Sequence, residues 1–180
     1  MAKSPMDIRW APPPLKPGYT VIDLDKTGDQ TYWSFAPDED VLFIASDNTR
    51  TLGRLQTTGG RNIVLIGGKY EPTGPYQEAT LKFTRVHGEI WVEGVHIDHK
   101  NVSPRDAISV YSADGKQATF TLQNSRIDNV RGVKEMHGDV FQPHGPIGDV
   151  RWYNVTGKTD YQGMFIPNVH GIKSVTLDTV

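Results

Sequence analysis

The run His137-Gly138-Asp139-Val140-Phe141-Gln142-Pro143-His144 puts two imidazoles, a carboxylate and a carboxamide within eight residues. Imidazole and carboxylate are the side chains that most often move protons near neutral pH. If Asp139 to Gln142 is a strand, His137, Asp139 and Phe141 share one side and Val140 and Gln142 the other. Assigning Val140 to the interior leaves His137, Asp139 and Phe141 as an outward acid, imidazole and aromatic surface. Upstream lie Asp98, His99, Lys100, Arg105, Asp106 and Arg131, and downstream Tyr161, Gln162, Asn168 and His170. Brought together, these residues suit a polyhydroxylated or uronate polymer, since aromatic faces cover sugar rings while amides and carboxylates pair with hydroxyls.

Two chemistries could use that inventory. Glycosidic hydrolysis wants two carboxylates, and Asp139 with Asp106 or Asp98 is the candidate pair. Elimination or epimerisation at a uronate wants a base for the α-proton and positive charge for the developing enediolate; His137 or Lys100 could be that base, and Arg105 or Arg131 the clamp. The catalytic candidates are thus His137, Asp139, Asp106 and Lys100. Asp98, His99, Arg105, Arg131, Gln142, His144, Tyr161 and Asn168 are candidates for binding substrate. His137, Asp139 and His144 are also chemically able to hold zinc, but their spacing matches no compact metal motif, and no run has the ligand spacing of a calcium loop. A divalent metal such as calcium is the one cofactor these side chains suggest. The bland readings are a turn-stabilising acceptor for Asp139, solvent-facing ends for Lys100 and Arg105, and surface or corner positions for His87, His96 and His170.

Positioning such residues falls to a repeat. With Gly94, Asn124 and Asn154 in register, Ile90, Phe120 and Val150 superimpose, as do Val92, Leu122 and Trp152, and Ile97 and Ile127, at an offset of thirty residues. Ile63, Leu65 and Tyr70 join upstream with Gly67 in the corner column, and Val175 and Leu177 join downstream. Ala107 to Tyr111, Asp139 to Phe141 and Gly163 to Phe165 form a second ladder between members of the first. Strand-like repeats of this length with no helical signature predict an all-β fold, a parallel β-solenoid of about five coils, in which neighbours supply each coil's core. Stacking at the usual strand spacing would give a rod of about 20 to 25 Å. Asn124 and Asn154 read foremost as corner residues, because asparagine tolerates left-handed backbone angles. Trp91 and Tyr153 alternate outward, where they could form a sugar platform or cover the strand face under a loop. A single helical turn is the most that Gly132 to Gly138 suggests.

The rest of the chain frames this core. Met1 to Gly18, with Pro5, Pro12, Pro13, Pro14 and Pro17, reads as an extended arm, partly polyproline-like, that Trp10 could anchor to a surface groove. Residues 19–180 form the β-helix domain, with 19–50 as cap and first incomplete coil. The formal charge of -2 gives no basic stripe for nucleic acid, and no apolar run is long enough to span a membrane. Without cysteine there are no disulfides, thiolate ligands or cysteine nucleophiles. Phosphate loop, nucleophile elbow and HExxH are absent too. The first residues lack the apolar core of a secretory signal, so the protein is either cytosolic or a mature form whose leader has been removed, then extracellular or periplasmic.

Over roughly residues 55 to 180, through NIVLIGG, IWVEGVHID, ATFTLQNSRIDNV and DVRWYNVTG, with HGDVFQ, the chain resembles the pectin-lyase-like superfamily of right-handed parallel β-helix proteins. That resemblance implies sites on the exterior of one parallel sheet and an activity among polysaccharide lyases, polygalacturonase-like hydrolases, uronate epimerases or phage tailspikes. The hydrolases of the group carry NxD, DD and GHG elements in successive coils; here stand only Asp98-His99 and His137-Gly138-Asp139. The function expected is a lyase or hydrolase of an acidic polysaccharide, or alternatively a noncatalytic solenoid that binds glycans or builds a surface or phage appendage. The partner expected is a polysaccharide or oligosaccharide, with a homo-oligomer forming through the uncapped C-terminal end.

Overall fold

Apolar residues that recur every thirty or so positions in strand-like runs can bury themselves only against the next turn of chain, and here they do so. The computed structural model describes residues 9–47, 49–74, 78–101, 105–133, 136–167 and 171–180. In chain order the strands are β1 (Thr20–Asp23), β2 (Tyr32–Phe35), β3 (Asp40–Ala45), β4 (Thr51–Leu52), β5 (Leu55–Gly59), β6 (Asn62–Gly67), β7 (Lys69–Tyr70) and β8 (Leu81–Val86). There follow β9 (Glu89–Glu93), β10 (His96–Asp98), β11 (Ile108–Ser112), β12 (Thr119–Val130), β13 (Asp139–Pro143), β14 (Asp149–Thr159), β15 (Gln162–Met164) and β16 (Ser174–Asp178). Every pairing between these strands is parallel, and they stack as a parallel β-helix of about five turns.

One sheet carries the ladder β1-β3-β6-β9-β12-β14-β16, with β4, β7 and β10 stacked beside the second half of β12. The other runs β2-β5-β8-β11-β13-β15. The register is the one the apolar columns require: Ile63 pairs with Ile90, Ile90 with Phe120, Phe120 with Val150, and Val150 with Val175. Those residues, Val175 apart, are buried in a single core with Leu65, Val92, Leu122, Trp152, Ile97 and Ile127. The second ladder supplies the opposite wall through Leu81, Phe83, Ile108, Val110 and Phe141. Phe141 therefore points inward. It stacks on Phe120 at 5.0 Å between ring centroids and meets Trp152 edge-on at 5.8 Å, because pairing with Ile108 fixes its side of the sheet. This corrects the expectation of an exposed Phe141 and Asp139; Val140 and Asp139 are buried as well, while His137 is exposed.

The corners are set by backbone geometry. Gly67, Gly94, Asn124 and Asn154 all have left-handed backbone, with φ of 77°, 69°, 51° and 51°. Asn154 Nδ2 donates to Asn124 Oδ1 at 2.8 Å, and Asn124 Nδ2 to Glu93 Oε1 at 3.3 Å, so the column is also a hydrogen-bonded ladder. These asparagines bend β12 and β14 rather than ending them. Between residues 132 and 138 no helical turn forms among the described residues; Val133 and Met136 exchange backbone N–H···O bonds of 2.8 and 3.0 Å as an antiparallel bridge.

Residues 9 to 18 form no strand and pass over the outer face of the first sheet. At one end Trp10 meets the ring of Tyr153 edge-on at 6.5 Å and Arg9 pairs with Asp178; at the other, Lys16 N–H donates to Asp40 Oδ2 at 2.7 Å. Six residues of extended polyproline-like chain span about 19 Å. The four strand spacings from β14 to β3 also come to about 19 Å. The two anchors also lie four residues apart along the strands, in the columns of Tyr153 and Asp149, so the arm crosses β12, β9 and β6 obliquely. Beneath it Val64, Trp91, Thr121 and Gln123 point away from the core yet are buried. Of the two roles open to Trp91 and Tyr153, covering the strand face under a loop is the one observed. At the far end Val175 and Leu177, though in the inward columns, are 41% and 50% exposed, and no described strand stacks on β16 beyond them.

Candidate functional site

The chain reaches β11 through Arg105 and Asp106 and reaches β13 through Gly138, so neighbouring turns of the helix bring these two approaches together. Gly138 is required there. A Cβ at that position would lie 1.9 Å from the Arg131 carbonyl oxygen and 3.0 Å from that of Arg105. With the chain this close, the Asp139 N–H donates to Asp106 Oδ1 at 3.0 Å. Gln142 stands outward on β13, in the column of Lys82 and Ser109. With its amide nitrogen turned toward the carboxylates, as the hydrogen-bond network requires, it donates to Asp106 Oδ2 at 3.1 Å and Asp139 Oδ2 at 3.2 Å. His144 Nε2 lies 3.1 Å from Asp106 Oδ2. Asp106, Asp139, Gln142 and His144, distant in sequence, form one connected network.

Its members differ in access. Asp139 is fully buried and its Oδ1 has no protein partner; burial, then the adjacent Asp106, push its carboxyl up to about 6. Asp106 keeps a narrow exposed edge, and the His144 side chain is about half exposed, at 49%. The two carboxylates are near enough to share one amide nitrogen, but no sugar can reach Asp139, so the pair does not flank a glycosidic bond as hydrolysis would need. His144 and Asp106 instead line an open cleft of about 350 Å³ on the outer face of the second sheet, together with Glu78, Ala79, Lys82, Ser109 and Tyr111. Lys82 is held by Glu78 at 3.1 Å.

The other candidates lie around this network or apart from it. His99 is buried, with Nε2 2.8 Å from Thr80 Oγ1; burial and then the charge of Arg105 push its imidazole down to about 4, so it is neutral at pH 7. Arg105 is buried too and donates to the Gly74 carbonyl at 2.8 Å, which makes it a tie between loops. His137 is exposed, its ring 5.4 Å from that of Tyr161, and Tyr161 in turn packs over Gly132. Arg131, next to Gly132, is exposed as well. Lys100 and Asp98 belong to a second cluster at the end of β10. Lys100 pairs with Glu71 at 3.0 Å and Asp98 at 3.6 Å, and Asn129 donates to Asp98 at 2.8 Å. The bond to Glu71 raises the Lys100 pKa, keeping it protonated where a base must be free. Asn168 and His170 lie outside the described residues.

Sequence reasoning missed Lys82, Ser109, Tyr111 and Glu78. The signal available was that Lys82, Ser109 and Gln142 alternate outward in three successive strands, which becomes visible only when Leu81, Ile108 and Phe141 are aligned. Among the described residues no three His, Asp or Glu side chains converge on a point that could hold a metal ion. No protein-family model, no curated protein and no solved structure matches the chain.

Proposed function

We propose that the protein is a carbohydrate-active β-helix that cleaves an acidic polysaccharide by β-elimination at a uronate. The observation that carries this reading is the bond between Asp106 and the half-exposed His144 at the rim of the cleft, with Lys82 and Tyr111 beside it. An Nε2–H donated to Asp106 fixes the imidazole tautomer and leaves Nδ1 with a free lone pair. In the proposed step His144 Nδ1 removes the proton α to the uronate carboxylate. The Lys82 ammonium holds the enediolate charge, the bond from the β-carbon to the glycosidic oxygen breaks, and the Tyr111 hydroxyl protonates the departing oxygen. The products are a chain end with a carbon–carbon double bond and a new reducing end. Asp139 and Gln142 touch no substrate here; they position Asp106. The resemblance to pectin-lyase-like proteins over residues 55 to 180 agrees with this chemistry.

A screen of uronate polymers with two readouts tests it: absorbance of unsaturated products and appearance of reducing ends. Elimination gives both. The expected loss on His144→Ala is about a hundredfold to ten-thousandfold in kcat, typical of a general base, with Tyr111→Phe also impaired and His137→Ala near wild type. Reducing ends without absorbance would mean hydrolysis and overturn the mechanism. Polymer binding with neither signal would make the cleft a recognition surface, the noncatalytic alternative. Activity lost in His137→Ala but kept in His144→Ala would move the site to the exposed side chains His137 and Tyr161.

A further inference from the structure

The outer face of the first sheet is built like a binding groove that the chain itself fills. Outward side chains of a solenoid sheet ordinarily meet water, yet Trp91 and Thr121 are wholly buried and Val64 nearly so, outside the main core. Gln123, also wholly buried on this face, has no protein partner for either its amide nitrogen or its carbonyl oxygen. At the known strand spacing the arm crosses β12 about one and a half residues from Trp10, near Pro12, and β9 near Pro13. Pro13 is itself buried, unlike Pro12 and Pro14 on either side of it. Aromatic-floored grooves that receive extended proline-rich segments are a recurrent mode of peptide recognition.

We infer that this face is a docking groove for an extended peptide carrying an Arg-Trp pair followed by prolines, occupied in this chain by its own residues 9–18 and open to the same chemistry in trans. Asp178 takes the arginine, the Tyr153 ring edge takes the indole, Trp91 and Val64 bed the prolines, and Asp40 accepts the last backbone N–H. The arm competes with any incoming peptide, so apparent affinity scales with the fraction of molecules whose arm is undocked.

The test uses the full chain and a fluorescent peptide of sequence RWAPPPLK, followed by anisotropy. Wild type is expected to bind weakly. Trp10→Ala, which loosens the arm at its anchor, should bind at least about tenfold more tightly. Adding Gln123→Arg to that variant should abolish binding, and a peptide with its Trp replaced by Ala should fail throughout. Arg9→Glu, an exposed change that leaves the core alone, serves as a second loosening variant should Trp10→Ala not fold. Equal affinity for wild type and both loosened chains, or equal binding of the Trp-less peptide, would overturn the inference.

Discussion

His99 and Asp139 are buried titratable groups that respond to acid in opposite senses. The folded pKa of His99 is depressed to about 4, so its contribution is complete above the unfolded value near 6.5 and is lost as pH falls through 4. The folded pKa of Asp139 is raised to about 6, so its contribution is complete below about 4 and is lost as pH rises through 6. Each is on the order of 2–3 kcal/mol, and in the wild type they offset each other across the same window. Asp139→Asn should therefore unmask His99: melting temperature near pH 7 equals or exceeds wild type, and acidification from pH 6.5 to 4 lowers it steeply. His99→Gln should show the reverse, gaining stability on acidification. Melting curves at half-unit pH steps decide it, and parallel pH profiles for both variants would refute the pairing. Neither burial was legible beforehand. A charged residue on a polar loop reads as solvent-facing, and what encloses His99 and Arg105 is Thr80 and the Gly74 carbonyl, contributed by the preceding turn.

For the strands, the ladders make distinct demands on packing and on backbone. Phe141→Ala would empty the space between Phe120 and Trp152 and should cost about 3–5 kcal/mol, read as a lowered urea midpoint with little change in slope. At the corner, Asn154→Gly and Asn154→Val both lose the bond to Asn124, so their difference isolates the left-handed backbone; the valine variant should be less stable by about 1–2 kcal/mol. Equal midpoints would show that the corner tolerates branching. The column from Ile63 to Val175 was readable because inward residues alternate cleanly and the corner residues share one backbone need. Two features were not. β5 is Leu55-Gln56-Thr57-Thr58-Gly59, too polar to announce a strand, and it holds its place through pairing with β2 and β8. The facing of β13 was ambiguous because Val140 and Phe141 are both apolar, and alternation cannot choose between adjacent apolar residues. The cleft residues on the far side of the sheet were lost with it.

Across the whole molecule, the inward columns reach β16, where Val175 and Leu177 stand partly exposed and no further strand stacks among the described residues. An exposed edge of that kind is a template for a further strand, and self-association of the chain through it is the expected outcome to test. Sedimentation across a concentration series should show reversible self-association that Leu177→Lys abolishes, with unchanged circular dichroism; a monomer at every concentration would exclude this route. The arm, for its part, is held through Arg9 and Trp10 by Asp178 and Tyr153, residues that follow it by most of the solenoid. During synthesis those first residues emerge roughly ten to thirty seconds before their resting place has been made. The coils behind them can stack one by one as they appear, while the tryptophan and its prolines wait in solvent. The arm therefore settles after the coils that follow it in the chain, and a ribosome stalled before residue 153 should leave Trp10 open to quenchers although the first coils are already formed.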